Sequence, residues 1–557
     1  AIDYRDKNRV NCYDTGTAPC KTACPAHIAV QGYLKLAAQG KYREALQLIK
    51  RENPFPAVCG RICNRRCEDA CTRGTVDEAV AIDEVKKFIA QRDLDAATRY
   101  VPPVVTPTRA GGFDQKIAII GAGPAGLSCA FYLAEKGYKP VVFEKNERPG
   151  GMLAYGIPSF KLQKDVIEAE VEVIRLMGAE FRYGVEVGRD VTLDELRAQG
   201  FKAFYVAIGC QGGRLAGIPG EDAEDVTVAV DFLREVNSGK IDALPGRTIV
   251  VGGGNVAIDV ARNACRLGSE HVEMFCPESE VKMPASEEER REAIEDGAHI
   301  SCGWGPKEIH LDEAGRVCGI TFKRCTRVFD DEGRFAPEYD ENDLRRVDAD
   351  RVVMSIGQSI VWGDLLAGSK VELGRGQGAL ADPQTYQTAE PDIFVGGDVY
   401  TGPSFAIDAI AAGHEAAVSI HRFVQPGSTL TIGRNQRRYT ALDRDDVVIE
   451  SYDNASREVA HVDREREKAA PFSEYVETFT EEQVRAETAR CLGCGASIVD
   501  PNKCIGCGLC TTKCAFDAIH LDRDRPECST MVKYEQKLPS LGKYALKRAI
   551  KIKFGKK

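Results

Sequence analysis

The chain has 557 residues, which is too long for a single hydrophobic core and predicts three or four domains. Its hydrophobic fraction of 43% is ordinary for a globular protein, and its formal net charge of −10 gives no reason to expect a nucleic acid as a partner. The most apolar stretch, residues 117–134, is interrupted by three glycines and predicts a strand, a turn and a helix rather than a membrane span.

The cysteines are grouped. Of the 21, seven lie before residue 72, seven lie between residues 491 and 528, and seven are scattered through the middle. The outer groups have metal-ligand spacing and no secretory signal precedes them, which favours a reducing, cytoplasmic compartment over disulfide bonds. The middle group is expected to be buried as small apolar residues: Cys129, Cys210, Cys265, Cys276, Cys302, Cys318 and Cys325.

Residues 1–112 are predicted to form a helical domain and a linker. Helical patterns occur at residues 30–38 and 42–51, and the Pro- and Gly-rich residues 101–112 separate them from the rest of the chain. The cysteines of this region are candidate metal ligands: Cys12, Cys20, Cys24, Cys59, Cys63, Cys67 and Cys71.

A glycine fingerprint comes after the linker. An apolar strand runs into Gly121-x-Gly123-x2-Gly126, a helix follows, and a second strand ends at Glu144. Gly121 permits the tight turn, Gly123 lets backbone N–H groups approach a pyrophosphate, and Gly126 lets the helix pack closely on the strand. The helix N-terminus favours negative charge, and Glu144 lies where a carboxylate can accept hydrogen bonds from a ribose. The segment predicts a dinucleotide site.

A second fingerprint lies at residues 248–262, where Gly252-x-Gly254-x2-Ala257 follows another apolar strand. Alanine is accepted at the third position because only a small residue is needed there. Since α/β alternation runs from residue 116 to about residue 424, the two fingerprints predict two Rossmann-type folds.

Two further glycine motifs accompany the fingerprints. Arg148-Pro-Gly-Gly follows the first acid, and Ile393-Phe-Val-Gly-Gly-Asp ends the α/β region. This combination resembles the two-dinucleotide-binding-domain flavoproteins. The resemblance implies NAD(P)H in an inserted second fold, with its nicotinamide against the flavin, and FAD at the first fingerprint, where the motifs would add the contacts Gly151, Gly397 and Asp398.

The choice between NADH and NADPH depends on the strand after the second fingerprint. Residues 271–276 lead to Glu278, whose carboxylate would repel the 2′-phosphate of NADPH and could bind the free 2′-hydroxyl of NADH. This favours NADH. NADPH stays open because of three cations shortly downstream: Lys282, Arg290 and Arg291.

The polar residues 426–480 predict an extended connector, and a helical stretch at 480–490 leads into the last cysteine group. There Cys504-x2-Cys507-x2-Cys510-x3-Cys514 has the ligand spacing of a bacterial ferredoxin, in which the fourth cysteine ligates the other of two clusters. At least one 4Fe–4S cluster is therefore expected.

A second C-terminal cluster would need other thiols, and those at hand are Cys491, Cys494 and Cys528. A zinc site at Cys491 and Cys494 is the alternative for that pair. The lysine-rich residues 531–557 are predicted to form a solvated basic tail.

Longer stretches resemble one family in particular. Cys20-Lys-Thr-Ala-Cys24-Pro, residues 53–63 and residues 150–162 look like the small subunit of bacterial glutamate synthase. The same module occurs in dihydropyrimidine dehydrogenase and in the large subunit of NADH-dependent ferredoxin:NADP oxidoreductase. The resemblance covers roughly residues 10–425, so the C-terminal cysteines lie outside it.

That resemblance implies two 4Fe–4S clusters in the helical domain. Cys20 and Cys71 would serve one, and Cys24, Cys63 and Cys67 the other.

The chain departs from the family pattern at two positions. The opening Cys-x2-Cys is present only as Cys12-x2-Thr15, and Lys86 stands where a Gln or Glu ligand is usual. Either two clusters or one would fit, with the missing ligand supplied by Cys59, Glu68 or Glu84.

The predicted fold class is multidomain, with an N-terminal α-helical iron–sulfur domain, two Rossmann-type α/β domains of which one is inserted in the other, and a C-terminal α+β ferredoxin-like domain. The predicted boundaries are 1–112 for the helical domain and linker, 113–245 and 361–425 for the FAD-binding domain, 246–360 for the NAD(P)H-binding domain, 426–480 for the connector, 481–530 for the ferredoxin-like domain and 531–557 for the tail.

These features predict an FAD-dependent NAD(P)H oxidoreductase. Hydride exchange between nicotinamide and flavin would precede single-electron transfer through 4Fe–4S clusters to partner subunits or ferredoxin, so no catalytic acid–base pair is required. The complex could be an electron-bifurcating transhydrogenase or hydrogenase, or a glutamate synthase with a glutamine-dependent large subunit. A subunit that conducts electrons without nucleotide turnover is a third hypothesis, against which both intact fingerprints count.

Overall fold

The computed structural model describes residues 9–11, 16–105, 112–434, 439–495, 504–513, 519–521 and 533–554. The chain divides into two compact units, one of residues 5–496 and the other of residues 1–4 with 497–557. Within the described ranges, no helix has both the length and the apolar character that a membrane crossing requires.

The N-terminal part of the larger unit is helical. Its helices are Pro19–Ala23, Val30–Ala38, Tyr42–Lys50, Pro56–Ile62, Arg66–Asp69 and Ile82–Leu94, with a 3-10 turn at Thr72–Thr75. The third of them buries Tyr42, Ala45, Leu46 and Ile49, the spacing of a helix with one apolar face. The buried face continues into the core of the first nucleotide-binding fold.

A buried carboxylate also ties these two parts together. Glu170, on helix Lys164–Leu176, accepts hydrogen bonds from the backbone N–H groups of Ala57 and Val58 at 2.8 and 3.0 Å. Both donors lie in the first turn of helix Pro56–Ile62, where N–H groups have no partner inside the helix. Burial raises the pKa of Glu170 to about 8. The helical domain is therefore held against the fold that comes after it.

The first nucleotide-binding fold is built on a parallel sheet. Its strands, from one edge to the other, are Ile393–Val395, Phe201–Val206, Lys116–Ile120, Val141–Glu144 and Glu180–Tyr183. Its helices are Pro124–Glu135, Met152–Tyr155, Lys164–Leu176, Leu193–Ala198, Asp398–Thr401 and Ala406–Val424. Because the strand at 393–395 pairs directly with the strand at 201–206, the chain between them leaves the sheet and returns.

The intervening residues form the inserted fold, which confirms the predicted class. Its parallel strands are ordered His299–Cys302, His271–Cys276, Arg247–Val251, Arg351–Met354 and Val226–Val228, with helices Ala229–Asn237, Asn255–Arg266 and Glu287–Glu295. An antiparallel sheet of Trp304–Leu311, Val317–Phe329 and Phe335–Val347 is attached to it. Shorter elements are the strands Gly212–Gly213 and Gln358–Ser359 and the 3-10 turns Glu280–Lys282 and Arg375–Gln377.

The inserted fold begins earlier than predicted. Strand Val226–Val228 lies within residues 113–245, which the sequence assigned to the FAD-binding domain, yet it pairs with Arg351–Met354 of the second sheet. The reason is apolar packing, since Phe232 and Leu233 of the next helix are buried in the core of the inserted fold.

The described connector residues 439–480 hold the 3-10 turn Arg444–Asp446, the strand Val448–Ser451 and the helix Arg464–Ala469. The strand pairs antiparallel with Arg9–Asn11. The segment is anchored by ion pairs from Arg457 to Glu68 at 2.6 Å and from Arg464 to Glu295 at 2.9 Å. It therefore contacts both the helical domain and the inserted fold before it reaches helix Glu481–Ala489.

The smaller unit contains helices Leu509–Lys513 and Tyr534–Phe554. The side chains of residues 533–553 are exposed, so the predicted basic tail contains a solvent-exposed helix.

Candidate functional site

The first glycine fingerprint forms a turn that leaves no room for side chains. Gly121 has a φ of +103°, and a Cβ on it would lie 2.5 Å from the carbonyl oxygen of Ala207. A Cβ on Gly126 would lie 2.0 Å from the carbonyl oxygen of Gly121. Around Gly123, by contrast, no described atom lies within 4 Å of the Cβ position. The helix beginning at Pro124 thus presents an open N-terminus, which fits a pyrophosphate.

The glycine turn and the open helix N-terminus form the first cradle. Glu144, at the end of the neighbouring strand, borders it. It is buried, and its two carboxylate oxygens accept hydrogen bonds from the backbone N–H groups of Ala122 at 2.8 Å and Asn146 at 2.9 Å. Gly151, with a φ of +53°, passes so close that its Cβ would lie 2.9 Å from the Cα of Gly123. The contacts orient the carboxylate at the cavity wall, where a ribose can reach it.

The late glycine motif lies on the same side of the sheet as the first fingerprint. Gly397 has a φ of +68°, and its Cβ would lie 3.0 Å from the Cβ of Ala125. The carboxylate of Asp398 accepts a hydrogen bond from the backbone N–H of Ser404 at 3.2 Å, and burial raises its pKa. The structure therefore brings Gly397 and Asp398 to the first cradle, as expected for contacts to FAD.

The second fingerprint repeats this geometry in the inserted fold. Gly252 has a φ of +147°, and its Cβ would lie 2.3 Å from the carbonyl oxygen of Ser355. No atom of the described chain lies within 4 Å of the Cβ position of Gly254, at which the helix N-terminus opens. Ala257, in the first turn of that helix, is fully buried. A second pyrophosphate cradle results.

Glu278 lies beside this second cradle. It is only 6% exposed, and among the described residues its Oε2 has no hydrogen-bond partner. Burial raises its pKa. Of the three predicted cations, Lys282 is exposed, Arg290 donates a hydrogen bond to the carbonyl oxygen of Glu280 at 2.7 Å, and Arg291 lines the cavity. An acidic group therefore lines the cavity beside the second cradle, with its Oε2 3.1 Å from the Cβ position of Gly253.

Both cradles open into one cavity of about 1810 Å³. This exceeds the roughly 300–1,000 Å³ of a site for one small ligand and suits two dinucleotides. Glu144, Glu278 and Asp398 line it, and so do Cys63 and Arg65 of the helical domain. The cavity thus connects both predicted nucleotide sites with one of the cysteine groups.

The sequence interpretation missed a buried ion pair in this cavity. The Nζ of Lys161 lies 2.7 Å from the Oδ1 of Asp259 and also contacts Glu289. All three residues line the cavity. Burial raises the pKa of Asp259, and the ammonium of Lys161 opposes that rise. The signal was present, because Lys161 belongs to residues 150–162, which carry the family resemblance, and Asp259 belongs to the second fingerprint at residues 248–262.

One group of thiols surrounds Lys86. Burial raises the pKa of the Cys24, Cys63 and Cys67 thiols, and the nearby ammonium of Lys86 lowers each of them in part. Cys59, buried beside Cys63, is close to the same ammonium. The structure therefore brings together the three cysteines that the resemblance implies for one cluster, with a lysine among them.

Lys86 itself is buried and forms an ion pair with Asp83, one turn earlier on the helix. Of the proposed substitute ligands, Glu68 pairs with Arg457 at 2.6 Å and accepts a hydrogen bond from the backbone N–H of Asp83 at 2.8 Å. Glu84 lines the large cavity. Cys59 lies near Cys63, and Glu68 lies near Cys67, so both stay candidates for the missing ligand.

A second group joins cysteines from distant parts of the chain. Burial first, and then the neighbouring thiols of Cys491, Cys71 and Cys494, raise the pKa of Cys20 well above its usual range. Burial, with Cys71 and Cys494 again contributing, raises the pKa of Cys491 to about 12. Cys491 and Cys494 therefore lie near Cys20 and Cys71 of the helical domain. That they complete the C-terminal ferredoxin motif stays a prediction.

Zinc at Cys491 and Cys494 stays an untested alternative. Among the residues that the structure describes, no three Cys, His, Asp or Glu side chains are close enough to bind a single metal ion. Cys12 lies outside the described residues.

In the smaller unit, Cys504, Cys507 and Cys510 are exposed. The glycines between them, Gly506 and Gly508, have φ values of +66° and +77°, which lets the backbone turn between successive cysteines. Cys514 and Cys528 lie outside the described residues.

The paired cradles and the shared cavity define an FAD- and NAD(P)-binding oxidoreductase. Residues 115–413 match the pyridine nucleotide-disulphide oxidoreductase family, and the chain belongs to this family. Residues 5–98 match the family of dihydropyrimidine dehydrogenase domain II with its 4Fe-4S cluster, and residues 497–520 match the 4Fe-4S binding domain. The protein therefore carries iron–sulfur clusters as well as FAD and a nicotinamide coenzyme.

Three relatives place the chain within this family. It is 35% identical to the NADP(+)-dependent formate dehydrogenase subunit beta of Moorella thermoacetica, over 86% of this chain and 70% of that protein. It is 34% identical to the glutamate synthase [NADPH] small chain of Escherichia coli, over 74% of this chain and 90% of that protein. It is 31% identical to the NADPH-Fe(3+) oxidoreductase subunit beta of Geobacter sulfurreducens, over 86% of this chain and 75% of that protein. The resemblance to the glutamate synthase small subunit is confirmed.

Proposed function

We propose that this chain is the nicotinamide-dependent electron-transfer subunit of a larger redox complex. The observation that carries the proposal is the shared cavity, which borders both fingerprints and reaches Cys63. The residues that line this cavity would hold FAD and the nicotinamide coenzyme, and the bound flavin would supply hydride exchange with the nicotinamide and single-electron exchange with iron–sulfur clusters.

The protein side of this reaction is binding and orientation. The backbone around Gly123 and Gly254 holds the two pyrophosphates, and Glu144 and Glu278 bind the two adenosine riboses. Lys161, whose ammonium is paired with Asp259 and Glu289, forms part of the wall of the same cavity. No acid–base step is assigned to these residues, because the hydride moves between the two coenzymes.

The C-terminal extension favours a multisubunit complex over glutamate synthase. The relatives named as beta subunits match 86% of this chain, whereas the Escherichia coli glutamate synthase small chain matches 74%. A partner subunit or a ferredoxin is therefore the proposed electron acceptor or donor, in the cytoplasm. Glutamate synthase remains the second candidate, and flavin-based bifurcation stays a prediction.

Reduction of the flavin by a nicotinamide coenzyme tests the proposal. The chain is purified anaerobically, FAD and iron are counted, and the visible flavin absorbance is followed after addition of NADH or NADPH. We expect bound FAD, and bleaching by at least one coenzyme. A chain without FAD, or a flavin that neither coenzyme bleaches, would contradict the proposal and favour the purely conducting subunit.

Glu278 is proposed to select NADH. Replacing it by glutamine removes the negative charge that disfavours a 2′-phosphate, and we expect kcat/KM for NADPH to rise about tenfold relative to NADH, or roughly 1.4 kcal/mol. The measurement is flavin reduction with both coenzymes. The control is Glu280→Gln, because Glu280 is exposed and does not line the cavity.

An unchanged coenzyme ratio in Glu278→Gln would contradict this assignment. So would a native preference for NADPH, the coenzyme in the names of the glutamate synthase and Fe(3+) oxidoreductase relatives.

A further inference from the structure

A buried hydrogen-bond network fixes the segment that carries Cys491. The side chains of Arg73 and Arg490 are both about 1% exposed. Arg73 donates to the carbonyl oxygen of Arg490 at 3.1 Å, and Arg490 donates to Glu487 at 2.7 Å and to the carbonyl oxygen of Glu78 at 2.7 Å. Arg73 lies two residues after Cys71, and Arg490 directly precedes Cys491, so the network holds these two cysteines side by side.

Cys494 is held by a separate set of contacts. Gln31, on helix Val30–Ala38, donates a hydrogen bond to the carbonyl oxygen of Cys494. Gly495 has a φ of +67°, and a Cβ on it would lie 3.0 Å from the backbone nitrogen of Ala18, which precedes the helix that carries Cys20. Both ends of the Cys491-x2-Cys494 segment are therefore anchored to the helical domain.

The two thiol groups of this domain are neighbours. Cys20 and Cys24 are four residues apart, and so are Cys67 and Cys71. Cys20 and Cys71, one from each pair, lie near Cys491 and Cys494. The other two, Cys24 and Cys67, lie near Lys86.

The donor set fits an iron–sulfur cluster. Four cysteine thiolates ligate a 4Fe–4S cluster, and Cys-x2-Cys is the spacing that supplies two of them.

We propose that Cys20, Cys71, Cys491 and Cys494 ligate one 4Fe–4S cluster, which the two ends of the larger unit build jointly. The Cys-x2-Cys pair at 491 and 494 then belongs to the N-terminal iron–sulfur domain and not to the C-terminal ferredoxin motif. This inference rests on the iron–sulfur part of the proposed function and is independent of the coenzyme.

The test compares two double variants of the full chain, Cys491→Ser/Cys494→Ser and Cys504→Ser/Cys507→Ser, which remove pairs of the same spacing. Iron, sulfide and FAD per chain are measured anaerobically, and EPR spectra are recorded after reduction with dithionite. We expect each variant to lose about four iron atoms and a different EPR component, and the quadruple variant to lose both. FAD content and flavin bleaching by NAD(P)H should persist. Cys318→Ser, outside both groups, should lose nothing.

Full iron in Cys491→Ser/Cys494→Ser would overturn the proposal. So would a quadruple variant that loses no more iron than either double variant, since all four cysteines would then serve one cluster. If Cys491→Ser/Cys494→Ser also loses FAD, the single variant Cys494→Asp is measured instead, because its carboxylate keeps a possible iron ligand at this position. Retained iron with an altered EPR spectrum supports ligation, and an unaltered spectrum refutes it. Absent bleaching in the unaltered chain would instead count against the proposed function alone.

Discussion

Replacing Gly126 by alanine is expected to abolish FAD binding. Its Cβ would lie 2.0 Å from the carbonyl oxygen of Gly121 and 3.2 Å from the side chain of Ile119, so the helix would have to move away from the strand. That movement displaces the backbone N–H groups that hold the pyrophosphate. The measurement is FAD per purified chain, with FAD titration into the apoprotein, and we expect at least a hundredfold weaker binding, roughly 2.7 kcal/mol.

Gly123→Ala separates the effect on the ligand from the effect on the fold. No described atom would contact its Cβ, so the thermal stability of the apoprotein should be unchanged while FAD binding weakens. Gly126→Ala should lower both. If Gly126→Ala keeps its FAD, the first fingerprint is not the FAD site.

Replacing Lys86 by methionine is expected to destabilise the helical domain. Asp83 and Lys86 are 2% and 3% exposed and form an ion pair, so the variant leaves a buried carboxylate without this cation. Removing one partner of a buried pair costs about 3–5 kcal/mol. The effect is read from denaturant unfolding of the anaerobic protein, followed by circular dichroism.

The matched control is the double variant Asp83→Asn/Lys86→Met, which removes both charges. It should recover a large part of the lost stability, because no uncompensated charge remains. Equal destabilisation in the single and double variants would show that packing of the lysine stem, and not the ion pair, dominates.

Local sequence was sufficient to predict the two glycine turns and the acidic residues beside them. The turn at Gly121, the acid at Glu144 and the equivalent pair at Gly252 and Glu278 depend on neighbouring strands and helices of a common fold. The sequence assigned strand Val226–Val228 to the wrong domain. A strand this short belongs to whichever sheet it pairs with, and its partner, Arg351–Met354, is remote in sequence.

The cysteine groups show the limit of spacing as evidence. Cys491-x2-Cys494 precedes a ferredoxin motif, and chain proximity suggested a shared cluster. The observed position depends on Arg73 and Arg490, two buried arginines in polar segments that carry no apolar periodicity to indicate burial. The spacing of a motif identifies candidate metal ligands, but tertiary contacts determine which of these ligands lie close together.

The bond between Arg73 and Arg490 also has a consequence for biosynthesis. These residues are separated by 417 positions, so Arg73 is buried against a carbonyl group that is synthesised only after the chain of both nucleotide-binding folds. Contacts of such separation form late, because the intervening chain must first be ordered. The helical domain is therefore completed after the nucleotide-binding folds, and the cluster proposed at Cys20, Cys71, Cys491 and Cys494 would receive its full ligand set at that stage.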